Sequence, residues 1–98
     1  MNIAAVCLWL KERVGGKISE DEIQTGAFSE ALRLVISELK ADIEENEHRQ
    51  QLFIELNDID KEVALFDGMT CTEIGIDKCI DLFEKYNKIY NSLRGDKK

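Results

Sequence analysis

The chain has 98 residues, of which 44% are hydrophobic and 34% charged, with a formal net charge of −7 and no proline. This length supports one hydrophobic core but not two, and the apolar content argues against a disordered chain. The acidic balance disfavours direct nucleic-acid binding, which draws its affinity from Lys and Arg placed against phosphates. The same charge attracts a basic protein surface, so we expect a protein partner.

The cysteines and the first ten residues predict a cytoplasmic location. The three cysteines are an odd number and widely spaced, unlike those of a disulfide-stapled secreted domain. The apolar run in residues 1–10 is too short to span a bilayer, and charged residues follow it at once. We therefore expect reduced thiols, no membrane segment and no signal peptide.

A first helix is predicted by apolar residues at spacings of four, three and four: Ile3, Cys7, Leu10 and Val14. Gly15 and Gly16 are expected to end it. Three further apolar side chains widen this stripe: Val6, Leu8 and Trp9. We therefore expect little of the helix to face water.

A second helix start lies at Ser19, which forms a capping-box pattern with Glu22 three residues later. Ile18 and Ile23 occupy the two positions of a hydrophobic staple. Gly26 can end this helix, and a new apolar stripe with helical spacing follows it: Phe28, Leu32, Val35 and Leu39.

The polar residues 44–51 separate that stripe from a second one: Leu52, Leu56, Ile59, Val63 and Phe66. The two stripes are out of phase by roughly a third of a turn. Either the chain reverses here as an antiparallel hairpin, or one helix of about 39 residues forms a rod roughly 58 Å long. The segment is rich in helix formers and lacks turn residues, which favours the continuous helix. A rod needs a second copy to cover both stripes, so we predict a homodimer.

A final helix start follows Gly68, where Thr70 and Glu73 repeat the capping box. The helix is predicted to continue along a seam at three-four spacing: Ile76, Cys79, Phe83, Tyr86, Tyr90 and Leu93. Together the stripes predict an all-α fold, a small helical bundle with heptad-spaced seams. If the middle helix is continuous, this bundle has one long central helix and a dimeric core. We place one domain at residues 1–93 and a frayed polar tail at 94–98.

No pattern predicts an enzyme, a metal or a cofactor. Glu45 and His48 have the spacing of a di-iron ligand pair, but such a site needs the motif twice and the chain has one histidine. The alternation of Asp58, Asp60 and Glu62 lacks the glycine that a calcium loop requires, and helical periodicity passes through it.

Two further groups are interpreted as structural. Cys7 and Cys79 lie on apolar seams and are expected in the core, while Cys71, at the first position of a helix, is a weak candidate for a reactive thiol. The seam aromatics are interpreted as core residues rather than a base-stacking platform, because no Arg is interleaved with them: Phe83, Tyr86 and Tyr90.

The absence of a catalytic pattern favours a non-catalytic protein-interaction module or small regulatory protein acting through an exposed helical face. The first alternative is an acidic inhibitor or nucleic-acid mimic, of phage or mobile-element type, that blocks a basic site on a nucleic-acid-binding protein. The second is a ligand-binding or redox-active helical bundle. The candidate partner-contact residues are acidic: Asp42, Glu44, Glu45, Glu47, Asp58 and Asp60.

Overall fold

The helices predicted from apolar spacing are present in a computed structural model that describes residues 2–47 and 50–96, apart from the side chains of 46, 47, 95 and 96. Its α-helices are α1 (Ile3–Arg13), α2 (Glu20–Glu22), α3 (Phe28–Asp42), α4 (Gln50–Ala64), α5 (Cys71–Ile74) and α6 (Ile76–Asp96). Two π-helical segments, Ile23–Ala27 and Ile43–Glu47, follow α2 and α3. The described residues contain no strand, which confirms the all-α prediction.

Helix α1 begins at a side-chain cap and ends at two glycines. The Asn2 side chain accepts a hydrogen bond of 2.9 Å from the amide of Ala5, and Gly15 and Gly16 have φ of 70° and 77°. One face is buried, but Leu8 on the opposite side is 45% exposed. The expectation of a well-covered helix was therefore wrong on that side, because no described element packs across it.

The capping box predicted at Ser19 is confirmed. The Ser19 hydroxyl accepts from the amide of Glu22 at 3.1 Å, and the Glu22 carboxylate accepts from the amide of Ser19 at 3.0 Å. Ile18 and Ile23, the staple residues, are both buried. Non-helical backbone dihedrals at Gly26 separate this short helix from α3, so the predicted break is also confirmed.

Helices α3 and α4 form an antiparallel hairpin. The Ser29 hydroxyl bonds to the carbonyl of Val63 and Arg33 pairs with Asp60, so residues late in α4 lie beside residues early in α3. The prediction of one continuous helix was therefore wrong. The principal extents of 35 × 23 × 23 Å also leave no room for a 58 Å rod. A reversal lets two out-of-phase stripes meet inside one chain, and this burial outweighs the helix propensity of the polar segment.

The capping box at Thr70 is confirmed as well, with hydrogen bonds of 3.0 and 2.9 Å between Thr70 and Glu73. The helix it starts ends after one turn, because Gly75 adopts φ 108°. The predicted single helix is thus divided into α5 and α6. Helix α6 reaches Asp96, beyond the residue where the polar tail was expected to begin, and tail residues 97 and 98 lie outside the described part.

The core lies among the four long helices α1, α3, α4 and α6, of which α3 and α6 each contact the other three. Its largest fully buried side chains include Tyr86, Phe28 and Phe83. Ile76, the first member of the α6 seam, is 38% exposed and marks the edge of this core. Among the described helices, none combines the length and the apolar character needed to cross a bilayer.

Candidate functional site

A groove of about 430 Å³ runs along the surface between α4 and α6 and is the best candidate for a binding site. Its floor is apolar, formed by Leu52, Ile59 and Ile89. Ile59 and Ile89 are 7% and 5% exposed, so the floor is the outer surface of the core itself. The volume falls in the range of sites that receive a small ligand or a few side chains of a partner.

The two walls of the α4–α6 groove carry opposite charges. Helix α4 contributes three carboxylates, Glu55, Asp58 and Glu62, and helix α6 contributes Lys85 and Lys88. Residues three or four apart on a helix share one face, and this spacing brings Glu55 and Glu62 to the same side as the floor residues. The groove therefore has an apolar base, an acidic side and a basic side.

Ion pairs occupy one end of this groove. Glu62 pairs with Lys78 and, at 3.8 Å, with Lys85, which also lies 3.4 Å from Asp81. The hydrogen bond that Lys78 donates to the Glu62 carboxylate raises the pKa of Lys78, although burial acts against it. These side chains are about a third to a half exposed, so solvent screens the pairs. The two pairs of Glu62 connect α4 to α6, whereas the pair of Asp81 with Lys85 lies within α6.

The other carboxylates of the groove have no partner among the described residues. No described residue forms an ion pair or side-chain hydrogen bond with Glu55 or Asp58, one or two turns before Glu62 on α4. Lys88 on the opposite wall is similarly unpaired within the described part of the chain. A cationic group of a partner can therefore contact these two carboxylates without breaking an ion pair with a described residue.

The acidic residues predicted to contact a partner are spread over several surfaces. Asp58 lies in the α4–α6 groove, whereas Asp60 faces α3 and pairs with Arg33 at 3.3 Å. This separation arises because positions two apart on a helix face different directions. Asp58 and Asp60 thus do not form one patch. Helix α4 continues through both residues, in agreement with the helical periodicity that was read through this segment.

The remaining predicted contact residues lie near the hairpin turn. Glu44 and Glu45 are exposed on the π-helical segment that follows α3. Asp42, at the end of α3, lines a different cavity, and the side chain of Glu47 lies outside the described residues, as does His48 of the Glu-x-x-His pair. Among the residues that are described, no group of three His, Cys, Asp or Glu side chains is arranged to hold a metal ion.

Sequence reasoning did not single out Glu55, Lys85 or Lys88. Their signal was available, because they flank the apolar positions Leu52, Ile59 and Ile89 at helical spacing. Many charged residues flank apolar stripes in this chain, so this spacing alone does not identify a groove. The groove residues can be recognised only once α4 is known to pack beside α6.

The aromatic residues of α6 pack against Trp9 of α1. The Trp9 ring makes edge-to-face contacts with Phe83, Tyr86 and Tyr90 at centroid distances of 5.1, 5.8 and 5.5 Å. Phe83 and Tyr86 are fully buried, which agrees with their interpretation as core residues.

Tyr90 differs from its neighbours, because it is only partly buried and two guanidinium groups contact its ring. Arg13 lies 4.8 Å and Arg94 5.0 Å from the ring centroid. No Arg is interleaved with these aromatics in the sequence, but the fold brings Arg13 of α1 to the Tyr90 ring. The cavity beside Tyr90, about 350 Å³, is also lined by Glu38 and Asp42, so its charge is mixed and it does not favour an anion.

The three cysteines, which lie on three different helices, are all buried in the core. Cys7 of α1, Cys71 of α5 and Cys79 of α6 are 0%, 2% and 0% exposed and are free thiols. A hydrogen bond to Cys71, together with burial, raises the pKa of Cys7 and Cys79. The same hydrogen bonds lower the pKa of Cys71, against the effect of burial.

Comparison of the chain with protein-family models, with curated proteins and with solved structures finds no match in any of the three.

Proposed function

We propose that the chain is a non-catalytic interaction module that receives a basic amphipathic helix of a partner protein in the α4–α6 groove. The observation that carries this proposal is the combination of an apolar floor with two carboxylates on one wall, Glu55 and Asp58, that pair with no described residue. Helix-in-groove recognition uses this arrangement, in which apolar side chains of the ligand helix fill the groove and polar ones contact its rim.

The charges define which partner fits. A cationic side chain on the partner reaches Glu55 and Asp58, whereas Glu62 is already paired with lysines of α6. Acidic residues on the far side of the partner helix are complementary to Lys88. The net charge of −7 attracts such a partner at a distance and speeds the encounter.

The groove also supports a binding role rather than catalysis. Its titratable groups lie in solvent-screened ion pairs or on an open wall, whereas catalytic groups are usually held in a water-excluded pocket. We retain the cytoplasmic location as part of the proposal, and the three free thiols support it.

A synthetic peptide helix tests the proposal. The probe carries leucines at positions i, i+3, i+4 and i+7 with lysines beside them, and its binding to the uniformly ¹⁵N-labelled chain is followed by amide chemical shifts and fluorescence anisotropy. We expect shift changes along residues 52–62 and 85–92. The double variant Glu55→Lys/Asp58→Lys should weaken binding roughly tenfold, because two favourable contacts become repulsive.

The matched control is Glu44→Lys/Glu45→Lys, which changes the net charge equally on exposed residues outside the groove. It should bind the peptide with nearly wild-type affinity. Equal weakening by both double variants, with a steep loss of affinity in salt, would instead favour the acidic-mimic alternative. Peptide binding without shift changes in α4 and α6 would rule out the groove as the site.

A further inference from the structure

The cavity of about 350 Å³ between α1, α3 and α6 shares no lining residue with the α4–α6 groove and has no part in the proposed interaction. Two guanidinium groups line it, those of Arg13 and Arg94, together with two carboxylates, those of Glu38 and Asp42. Its volume is in the range of sites that receive a small ligand. The rest of the described lining is apolar or aromatic: Leu39, Tyr90 and Leu93.

One aromatic ring holds both guanidinium groups of this cavity in place. The guanidinium carbons of Arg13 and Arg94 lie 4.8 and 5.0 Å from the centroid of the Tyr90 ring. The guanidinium carbon of Arg13 also lies 5.5 Å from the centroid of the Trp9 ring. Cation–π contacts of this kind restrict a long side chain without neutralising its charge. The cavity therefore presents two positioned positive charges.

Neither guanidinium forms an ion pair with a carboxylate of the described residues. Arg13 is half-buried, and its Nε atom is fully buried without a hydrogen-bond acceptor in the described part of the chain. A cation that is partly removed from water without an anionic partner is costly. The other N–H groups of a guanidinium form a planar fork that matches the two oxygens of a carboxylate. A carboxylate on a ligand would therefore supply the missing counter-charge.

The acidic residues of the cavity decide which carboxylate ligand fits. Glu38 and Asp42 lie one turn apart on α3, and Glu38 is exposed and pairs with no described residue. Their charges repel a simple anion, and the two guanidinium groups repel a simple cation. A zwitterion complements both sets of charges. Leu39 and Leu93, 7% and 2% exposed, offer an apolar base for the rest of such a ligand.

We propose that this cavity binds a free α-amino acid with an apolar side chain. The carboxylate of the amino acid accepts hydrogen bonds from Arg13 and Arg94, and its ammonium group donates to Glu38. Its side chain packs on Leu39 and Leu93. An α-amino acid carries these three groups on one carbon, so it reaches all three parts of a cavity of this size. Because the ligand contacts three helices of the folded chain only, it should also raise the melting temperature.

Free leucine is the probe, added at millimolar concentrations to the uniformly ¹⁵N-labelled full chain. We expect saturable amide shift changes at residues 38–42 and 90–94, and none along residues 52–62 of the α4–α6 groove. N-acetylleucine lacks the ammonium group and leucinamide lacks the carboxylate, so each should bind about tenfold more weakly through the loss of one charged contact. Glycine, which lacks the apolar side chain, should also bind more weakly.

Two variants at exposed positions remove one charge each from the cavity. Glu38→Gln should weaken the binding of leucine but not that of N-acetylleucine, which has no ammonium group to lose. Its control is Glu30→Gln, the same exposed change on α3 outside the cavity. Arg94→Gln should weaken both ligands, whereas Arg33→Gln, also outside the cavity, should weaken neither. The amide spectrum of each variant reports whether it is folded.

The ligand series on the wild-type chain decides the proposal without the variants. The absence of saturable shift changes with millimolar leucine would overturn it. Equal binding of N-acetylleucine and leucine would also overturn it and would assign the cavity to the carboxyl terminus of a peptide. Leucinamide that binds as well as leucine would show that the guanidinium groups take no part. Shift changes confined to residues 52–62 would place leucine in the α4–α6 groove instead.

Discussion

The hydroxyl of Ser29 donates a hydrogen bond of 2.8 Å to the backbone carbonyl of Val63, joining α3 to the last turn of α4. Ser29 is fully buried in an otherwise apolar interface, and the Val63 carbonyl also accepts from the amide of Phe66 at 3.0 Å. This contact fixes the register of the hairpin, because a buried hydroxyl without an acceptor is costly.

Ser29→Ala should lower the free energy of unfolding by about 1 kcal/mol, since it removes the donor while Phe66 still satisfies the carbonyl. Urea denaturation with an unchanged m-value would measure this loss. Ser37→Ala, on the exposed face of the same helix, is the control and should be neutral or slightly stabilising. A similar loss in both variants would show that the Ser29 contact does not contribute.

The first turn of α5 depends on the Thr70 hydroxyl, which accepts from the amide of Glu73. Thr70→Ala should cost about 1 kcal/mol because that amide loses its acceptor. Thr72→Ala, an exposed change within the same short helix, should cost clearly less. Chemical denaturation of both variants tests this. A larger loss for Thr72→Ala than for Thr70→Ala would show that Thr70 is not the cap.

Phe83 fills the core beside Trp9, so Phe83→Ala should destabilise the chain by about 3 to 5 kcal/mol through lost burial and a cavity. Phe53→Ala, which truncates a half-buried phenylalanine on α4, should cost less than half as much. Thermal unfolding gives the two losses. If both variants had the wild-type melting temperature, the α6 seam would not be part of the core.

We expect the buried hydroxyl of Tyr86 to make the folded chain less stable at alkaline pH. Burial raises the pKa of Tyr86, although the nearby Arg13 lowers it, and no well-aligned partner for its hydroxyl exists among the described residues. Below about pH 10 Tyr86 is protonated in both the folded and the unfolded chain, and its contribution to the free energy of unfolding is fully present. Above that pH the unfolded chain loses the proton while the folded chain keeps it, so stability falls.

Tyr86→Phe should therefore leave stability at neutral pH nearly unchanged, since the hydroxyl it removes lacks a partner within the described structure. It should also flatten the decline in stability between about pH 9 and 11. Denaturation midpoints of the variant and the wild type across this interval provide the measurement. Parallel curves would contradict the assignment of alkaline sensitivity to Tyr86.

The antiparallel hairpin also bears on self-association. The homodimer predicted from the sequence required a rod with two uncovered stripes, and the hairpin instead buries Leu32 and Leu56 within one chain. We therefore expect an 11.2 kDa monomer in solution scattering, with a radius of gyration near the 12.9 Å of its Cα atoms. Twice this mass at the highest concentration would instead support the homodimer.

The sequence by itself determined the local features of this protein. Both capping boxes, at Ser19 and Thr70, join residues three positions apart, so their geometry depends on little beyond the first turn of a helix. The buried faces were also predictable, because a stripe such as Phe28 to Leu39 has to leave water whatever it packs against.

Only the tertiary structure decided which faces meet. The offset between the stripes of α3 and α4 is compatible with a rod or a hairpin, and the choice depends on apolar area buried between distant residues rather than on propensity. The same long-range packing directs Asp60 to Arg33 and leaves Asp58 in the groove. It also brings the Cys71 thiol to the backbone carbonyl of Ile23, a contact that no spacing within one helix encodes.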